Sequence, residues 1–215
     1  MIEATPVPQR TFSVVAHVID YVNPTTGART ATNVTAGDIA AMLTHVNTIW
    51  SQVGIDFTLG QTVVNATNDP QEWDVVLGYG LYRASTNDNV AAIQNSVNAI
   101  DIYFVNSIQV EDGPLTGYAI SYDNGNTVLP RSEPKPGVLV AKTNGPAAAN
   151  VRDVPAMART LAHELGHYFL NNGNHDSRIW NLMIAGGGRT NRDLDLTQAE
   201  DIRDSVVTPT NHDGQ

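Results

Sequence analysis

The sequence predicts a mixed α/β fold: a twisted sheet with a backing helix, followed by a second helix that carries the chemistry. Three observations support this expectation. Phe12 to Val22 is apolar on both alternating faces, Ile39 to Val53 repeats apolar residues at helical spacing, and Val154 to Asn171 does the same with histidines inside the stripe. The length of 215 residues suits one domain, and a hydrophobic fraction of 41% is enough to fill a core.

In chain order, Phe12, Val14, Ala16 and Val18 on one face, against Val15, Ile19 and Tyr21 on the other, describe an inner strand covered on both sides. His17 lies in that run and reads as a buried, hydrogen-bonded histidine. The next helix shows Ile39, Met42, Leu43, Val46, Ile49, Trp50 and Val53 as its stripe. Thr35 and Asp38 open it as a capping pair and Gly54 closes it. His45 falls at the edge of the stripe.

Ile55 to Leu59 and Ala99 to Val105 read as two further strands, while Asn65 to Asn98 is mostly turn-like, with room for one short helix. Gly117 to Tyr122 and Val138 to Lys142 read as short strands on either side of a loop. Asp123, Asn124, Gly125 and Asn126 in that loop resemble the start of a calcium loop. No acidic ligand follows at the required spacing, so a turn is expected there and calcium is not predicted.

The charge balance excludes some functions. Twelve Lys and Arg stand against 22 Asp and Glu, a formal charge of −10, with no basic cluster, so a nucleic-acid partner is not expected. No apolar run reaches the roughly 18 residues needed to span a bilayer. The start, MIEATPVPQR, shows no export signal. With no cysteine, neither disulfides nor thiolate ligands are available, and latency cannot depend on a thiol. The chain is expected to be active as it stands, with Met1 to Arg10 a Pro-containing end rather than an inhibitory segment.

The chemistry concentrates in HELGH, His163 to His167, on the helix that Asp153 is expected to cap. Residues four apart on a helix differ by about 40° in azimuth, so both imidazoles leave one face and can reach one metal ion. Glu164 sits beside them, placed to take a proton from water activated by the metal. Six His and six Glu in 215 residues make this pattern by chance with a probability of roughly 0.005, so accident is a weak rival. A structural zinc staple in a non-cleaving binding protein is the alternative class. Glu164 argues against it, because a structural site uses a fourth ligand and no base. An exopeptidase or amidase on the same scaffold is a further alternative.

Beyond the helix the chain continues as HELGHYFLNNGNHD, then NLM ending at Met183, then LTQAEDIRD from Leu196. Together these resemble the metzincin clan of zinc endopeptidases, which carry HExxHxxGxxH, a Met-turn beneath the metal and a C-terminal helix. The eight residues from His175 to Met183 and the final helix opening are most similar to the matrixin-like members. Thr197 and Glu200 read as a capping box for that helix. The sequence departs from the clan pattern in one respect. Leu170 stands at the clan's glycine, Gly173 at its third histidine, and His175 comes two residues late. His175 is the expected third ligand, Asp176 the fallback, and Glu200 a third candidate. No tyrosine follows Met183 at the place where some relatives carry a ligand. His212 falls in a polar tail.

The resemblance implies a metzincin-like zincin fold and a single metallopeptidase domain over 1–215. Its N-terminal lobe would cover about 1–172 and its small C-terminal lobe about 173–207, with a tail at 208–215. It implies one catalytic Zn²⁺ on His163, His167 and His175, with Glu164 as general base and Met183 as a floor beneath the metal. A protein or peptide substrate would lie along Gly117, Tyr118, Ala119, Ile120 and Ser121 as a rim strand, with Ile184 to Arg189 walling a side-chain pocket. Secretion is also implied.

Overall fold

The computed structural model describes residues 9–68, 74–77, 99–110, 113–115, 117–120, 137–144, 151–170, 174–185 and 193–207. Strand β1, Arg10–Val22, is the axis of the main sheet. It pairs in parallel with β3, Ile55–Thr67, on one side and with β5, Ile100–Val105, on the other. The two-residue strand β2, Arg29–Thr30, folds back antiparallel on Tyr21 and Val22. Next to β5 runs β9, Gly137–Ala141, also parallel, and the sheet then ends on β8, Gly117–Ile120, its antiparallel edge.

Burial follows the sequence pattern. Ala16 to Asp20 are buried on both faces of β1, and β5 and β9 are buried throughout, as inner parallel strands require. Parallel neighbours need a crossover, and between β1 and β3 it is helix α1, Ala36–Trp50. The predicted capping box is formed: Asp38 N donates to Thr35 Oγ1 at 3.1 Å and Thr35 N donates to Asp38 at 2.9 Å. These bonds hold the Asp38 carboxyl below its ordinary range. The chain leaves α1 through a 3₁₀ turn, Ser51–Val53, and Gly54 at φ 72° redirects it into β3 with no Cβ strain.

Two readings need correction. β3 continues beyond Leu59 to Thr67, so its end, Asn65 to Thr67, is strand where a mostly turn-like stretch was expected. As an edge strand it exposes one row of side chains, so polar residues are tolerated while the backbone pairs with β1. A second, three-stranded sheet was not foreseen: β4, Asp74–Leu77, β6, Ser107–Val110, and β7, Gly113–Leu115. Its strands are too short to show an alternation of their own, and Pro114 lies in one of them.

Helix α2, Val154–Leu170, packs beside α1 on the same face of the main sheet. Val14, Ala16 and Val18 of β1 meet Met42, Val46 and Trp50 of α1 and Leu161 and Leu165 of α2 in one continuous core. The rings of Trp50, Phe57 and Phe169 pack within 6.2 Å of one another at its end. Helix α3, Leu196–Val207, joins this core through Ala199 and Ile202. Among the described residues no helix is long and apolar enough to cross a membrane.

Candidate metal centre

Helix α2 positions the two motif histidines because its start is fixed. Ala156 N donates to Asp153 Oδ1 at 2.7 Å, the predicted cap. Arg152 donates to Ala141 O of β9 at 2.7 Å and to Ala156 O at 2.8 Å, tying the first turn to the sheet. Met157, Leu161 and Leu165 then bury the opposite stripe, leaving His163 and His167 on a common face, themselves 1% and 7% exposed.

The chain brings His175 to the same point from a loop. His167 Nε2 lies 3.0 Å from His163 Nε2 and 3.2 Å from His175 Nε2. The His163 and His175 rings are nearly parallel, at 13°, and His167 stands perpendicular to both. Three ligand nitrogens at about 2.0–2.1 Å from a tetrahedral zinc would sit roughly 3.3 Å apart, close to the two separations at His167, and all three ligand atoms lie within 4.8 Å of one another. Among the described residues this is the one group of three or more potential ligands that could hold a metal.

The tautomer is set as well. His163 Nδ1 is 2.7 Å from Leu182 O, and a carbonyl can only accept, so Nδ1 carries the proton and Nε2 presents its lone pair. Neutral imidazole nitrogens are the donor chemistry that zinc takes.

The neighbours of the motif explain its intervening residues. A Cβ on Gly166 would fall on Met183 Sδ and lie 3.0 Å from Met183 Cε, so this glycine is what lets Met183 press against the helix between the two histidines. Met183 is fully buried there. Glu164 is buried to 6% exposure, and a Cβ on Gly117 would lie 2.7 Å from its Cγ and 2.8 Å from its Oε1. The backbone of edge strand β8 therefore lies directly against the Glu164 carboxylate.

The other candidates are placed elsewhere. The fallback ligand Asp176 turns to Arg178: its carboxylate accepts from Arg178 N at 2.7 Å and Nε at 2.8 Å, with a third contact from the guanidinium. These bonds lower its pKa to about 2. Glu200 is exposed on α3 and does not join the group. The predicted Thr197–Glu200 capping box is also corrected. The helix starts at Leu196, so the cap is Asp195, whose Oδ1 accepts from Gln198 N at 2.7 Å while Gln198 Oε1 accepts from Asp195 N at 3.0 Å.

His17 is a buried structural histidine, its Nε2 2.8 Å from Asp101 Oδ1 and its ring stacked on Tyr103. Burial and the nearby Asp101 push the Tyr103 phenol pKa up. His45 is exposed on α1. His212, Ser121, Gly173, residues 186–189 of the pocket wall and the turn at 123–126 lie outside the described residues.

Sequence reasoning missed the polar frame around the loop: Arg178, Asn181, Asp195 and Gln198. The Asp-x-x-Gln pattern directly before an apolar-periodic segment was the signal available for half of it.

The chain matches no family model and no curated protein. Among solved structures it is similar to the crystal structure of archaemetzincin from Methanopyrus kandleri, with a TM-score of 0.52 and 10% sequence identity over 91% of this chain and 96% of that one. At that identity the likeness is one of fold, extending over nearly the whole of both chains.

Proposed function

We propose that the chain is a zinc-dependent endopeptidase. The observation that carries this reading is the convergence of three imidazoles beside a buried glutamate and the strand that ends the main sheet among the described residues. His163, His167 and His175 would hold the ion as neutral donors, leaving room for water or substrate, as catalytic rather than structural zinc sites do. Bound there, zinc supplies Lewis acidity that makes water a nucleophile near neutral pH and polarises a substrate carbonyl.

The chain's own residues do the remaining work. The Glu164 carboxylate accepts the proton of the attacking water and hands it to the nitrogen of the departing amine, so one group serves as base and then acid. Strand β8 ends the main sheet among the described residues and abuts Glu164 at Gly117. An extended peptide pairing with its free edge would run past the site with its scissile bond near that carboxylate. Met183, pressed on Gly166, gives the histidines a rigid apolar floor, the role of the Met-turn in the metzincin clan. The name of the structural neighbour, archaemetzincin, agrees with this reading, and kinship with the matrixin-like members rests on the Met183 spacing and the opening of α3.

The test is zinc content and cleavage of a peptide library by the wild type beside Glu164→Ala. Zinc in both, with cleavage in the wild type alone, is expected. A zinc-loaded wild type that cleaves nothing would instead favour a binding protein with a zinc staple.

A further inference from the structure

His163 and His167 are held by a buried helix, but His175 is exposed on a loop and needs another anchor. The backbone supplies part of it. Asp176 N donates to Met183 O at 2.8 Å, which closes the loop on itself, and Leu182 N donates to Asp193 O at 2.7 Å, which ties its far strand to the segment leading into α3.

Side chains also link the loop to the rest of the molecule. The Arg178 guanidinium bonds the Asp176 carboxylate and, with the same Nη2, the carboxylate of Asp195, the N-cap of α3. On the other side of the loop, Asn181 Nδ2 donates to Gln198 Oε1 at 2.7 Å, and Met183 N donates to Asn181 Oδ1 at 2.7 Å. Asn181 is fully buried. Both strands of the loop thus attach to one capping box, Asp195 with Gln198. One attachment lies next to His175; the other lies beside Leu182, whose carbonyl orients His163. Trp180 adds a face for the guanidinium, 4.7 Å from its ring centre.

We infer that Arg178 is a positioning residue for the metal centre, fixing the loop that carries His175 to the N-terminus of α3 by bridging Asp176 and Asp195. The inference rests on the zinc reading of the three histidines. An exposed ion pair adds little to global stability, so the function of this bridge is geometric: it holds the third donor in place before the metal arrives. Arg is suited to the task because its planar fork can engage two carboxylates at once, which a lysine ammonium does less well.

The experiment measures zinc affinity by competition with a chromophoric chelator, together with the visible spectrum of the cobalt-substituted protein, which reports coordination geometry. Arg178→Gln is expected to bind zinc about 10–100-fold more weakly, the usual effect of removing an outer partner of a ligand, and to change the cobalt spectrum. Arg178→Lys should lose less. Asp195→Asn keeps an oxygen to cap α3 but removes the charge that Arg178 bridges to, so it should weaken zinc binding while the apo-protein melts as before. It also decides the matter if Arg178→Gln fails to fold. Zinc affinity within about two-fold of wild type in Asp195→Asn and in any folded Arg178→Gln, with unchanged cobalt spectra, would overturn the inference while leaving the metal site intact. A wild type that binds no zinc would instead sink the functional reading, and His163→Ala marks what loss of a true ligand looks like.

Discussion

Gly166 lies between the two histidines of the motif helix, and replacing it with alanine tests whether the contact with Met183 governs the metal centre. The added methyl would overlap Met183 Sδ and come within 3.0 Å of its Cε. Met183 is fully buried, so its thioether has no solvent to retreat into. Overpacking of this kind costs about 1–3 kcal/mol, and the better helix propensity of alanine offsets about 1 kcal/mol. A net loss of about 1 kcal/mol lowers Tm by about 3 °C in a chain of this size. The larger effect should fall on the metal. Pushing Met183 aside moves the adjacent Leu182 carbonyl, which fixes His163 Nδ1, and a disturbed partner of that kind costs about 10-fold or more in affinity. Calorimetry and chelator competition on Gly166→Ala measure the two effects. Combining it with Met183→Ala should give a smaller loss than the sum of the single variants, because the clash disappears. A Gly166→Ala protein with raised Tm and unchanged zinc affinity would show that Met183 yields freely, and the argument for a rigid floor would fail.

Four further outcomes are expected. Glu164→Ala should retain zinc and lose at least ~10²-fold in cleavage rate, read in a peptide assay, because the proton acceptor is gone. His175→Ala should lose zinc outright, while Asp176→Ala should still load it, with affinity weakened as in Arg178→Gln because its carboxylate anchors the loop through Arg178; metal analysis showing the reverse would reassign the third ligand. Gly117→Ala should lower turnover, because its methyl would press on the Glu164 carboxylate, and also lower stability, because the same methyl would fall on Cγ2 of buried Thr160; single-turnover kinetics beside a melting curve separates the two. Acid should act in two stages. Zinc leaves as pH falls through the imidazole range near about 6.5. The folded pKa of Asp176 is lowered to about 2 from an ordinary 3.8, so its stabilising contribution is complete above 3.8 and is lost only as pH falls toward 2. Because the pair is exposed its share of this second stage is small, and urea midpoints of the metal-free wild type and Arg178→Gln compared at about pH 5 and about pH 3 measure it.

Short-range rules were enough for much of this protein. The double-faced apolar pattern of Phe12 to Val22 marked an inner strand, the Thr35–Asp38 pair marked the start of α1, and the i, i+4 spacing of His163 and His167 marked one face of one helix. Each depends on residues within a turn or two, where the backbone period alone decides which side chains meet. The same rules failed where pairing decides. Asn65 to Thr67, read as the start of a turn-like stretch, stay in the strand because β1 offers a ladder, and the three-stranded sheet among the described residues forms through the meeting of short segments from separate parts of the chain.

At the metal centre the division falls within the ligand set. Spacing singled out two candidate ligands, His163 and His167, and left the third as a choice among His175, Asp176 and Glu200. The tertiary structure favoured His175, because the carboxylate of Asp176 turns to Arg178, and through it to Asp195, while the imidazole beside it comes within 3.2 Å of His167. Which of two adjacent donors is free for a metal depends on what the other one bonds; Asp176 bonds Arg178 two residues on, and Arg178 is in turn held by Asp195, 17 residues further along the chain at the cap of another helix. Periodicity carries no information at that range, so only the folded packing of the loop against α3 could decide it.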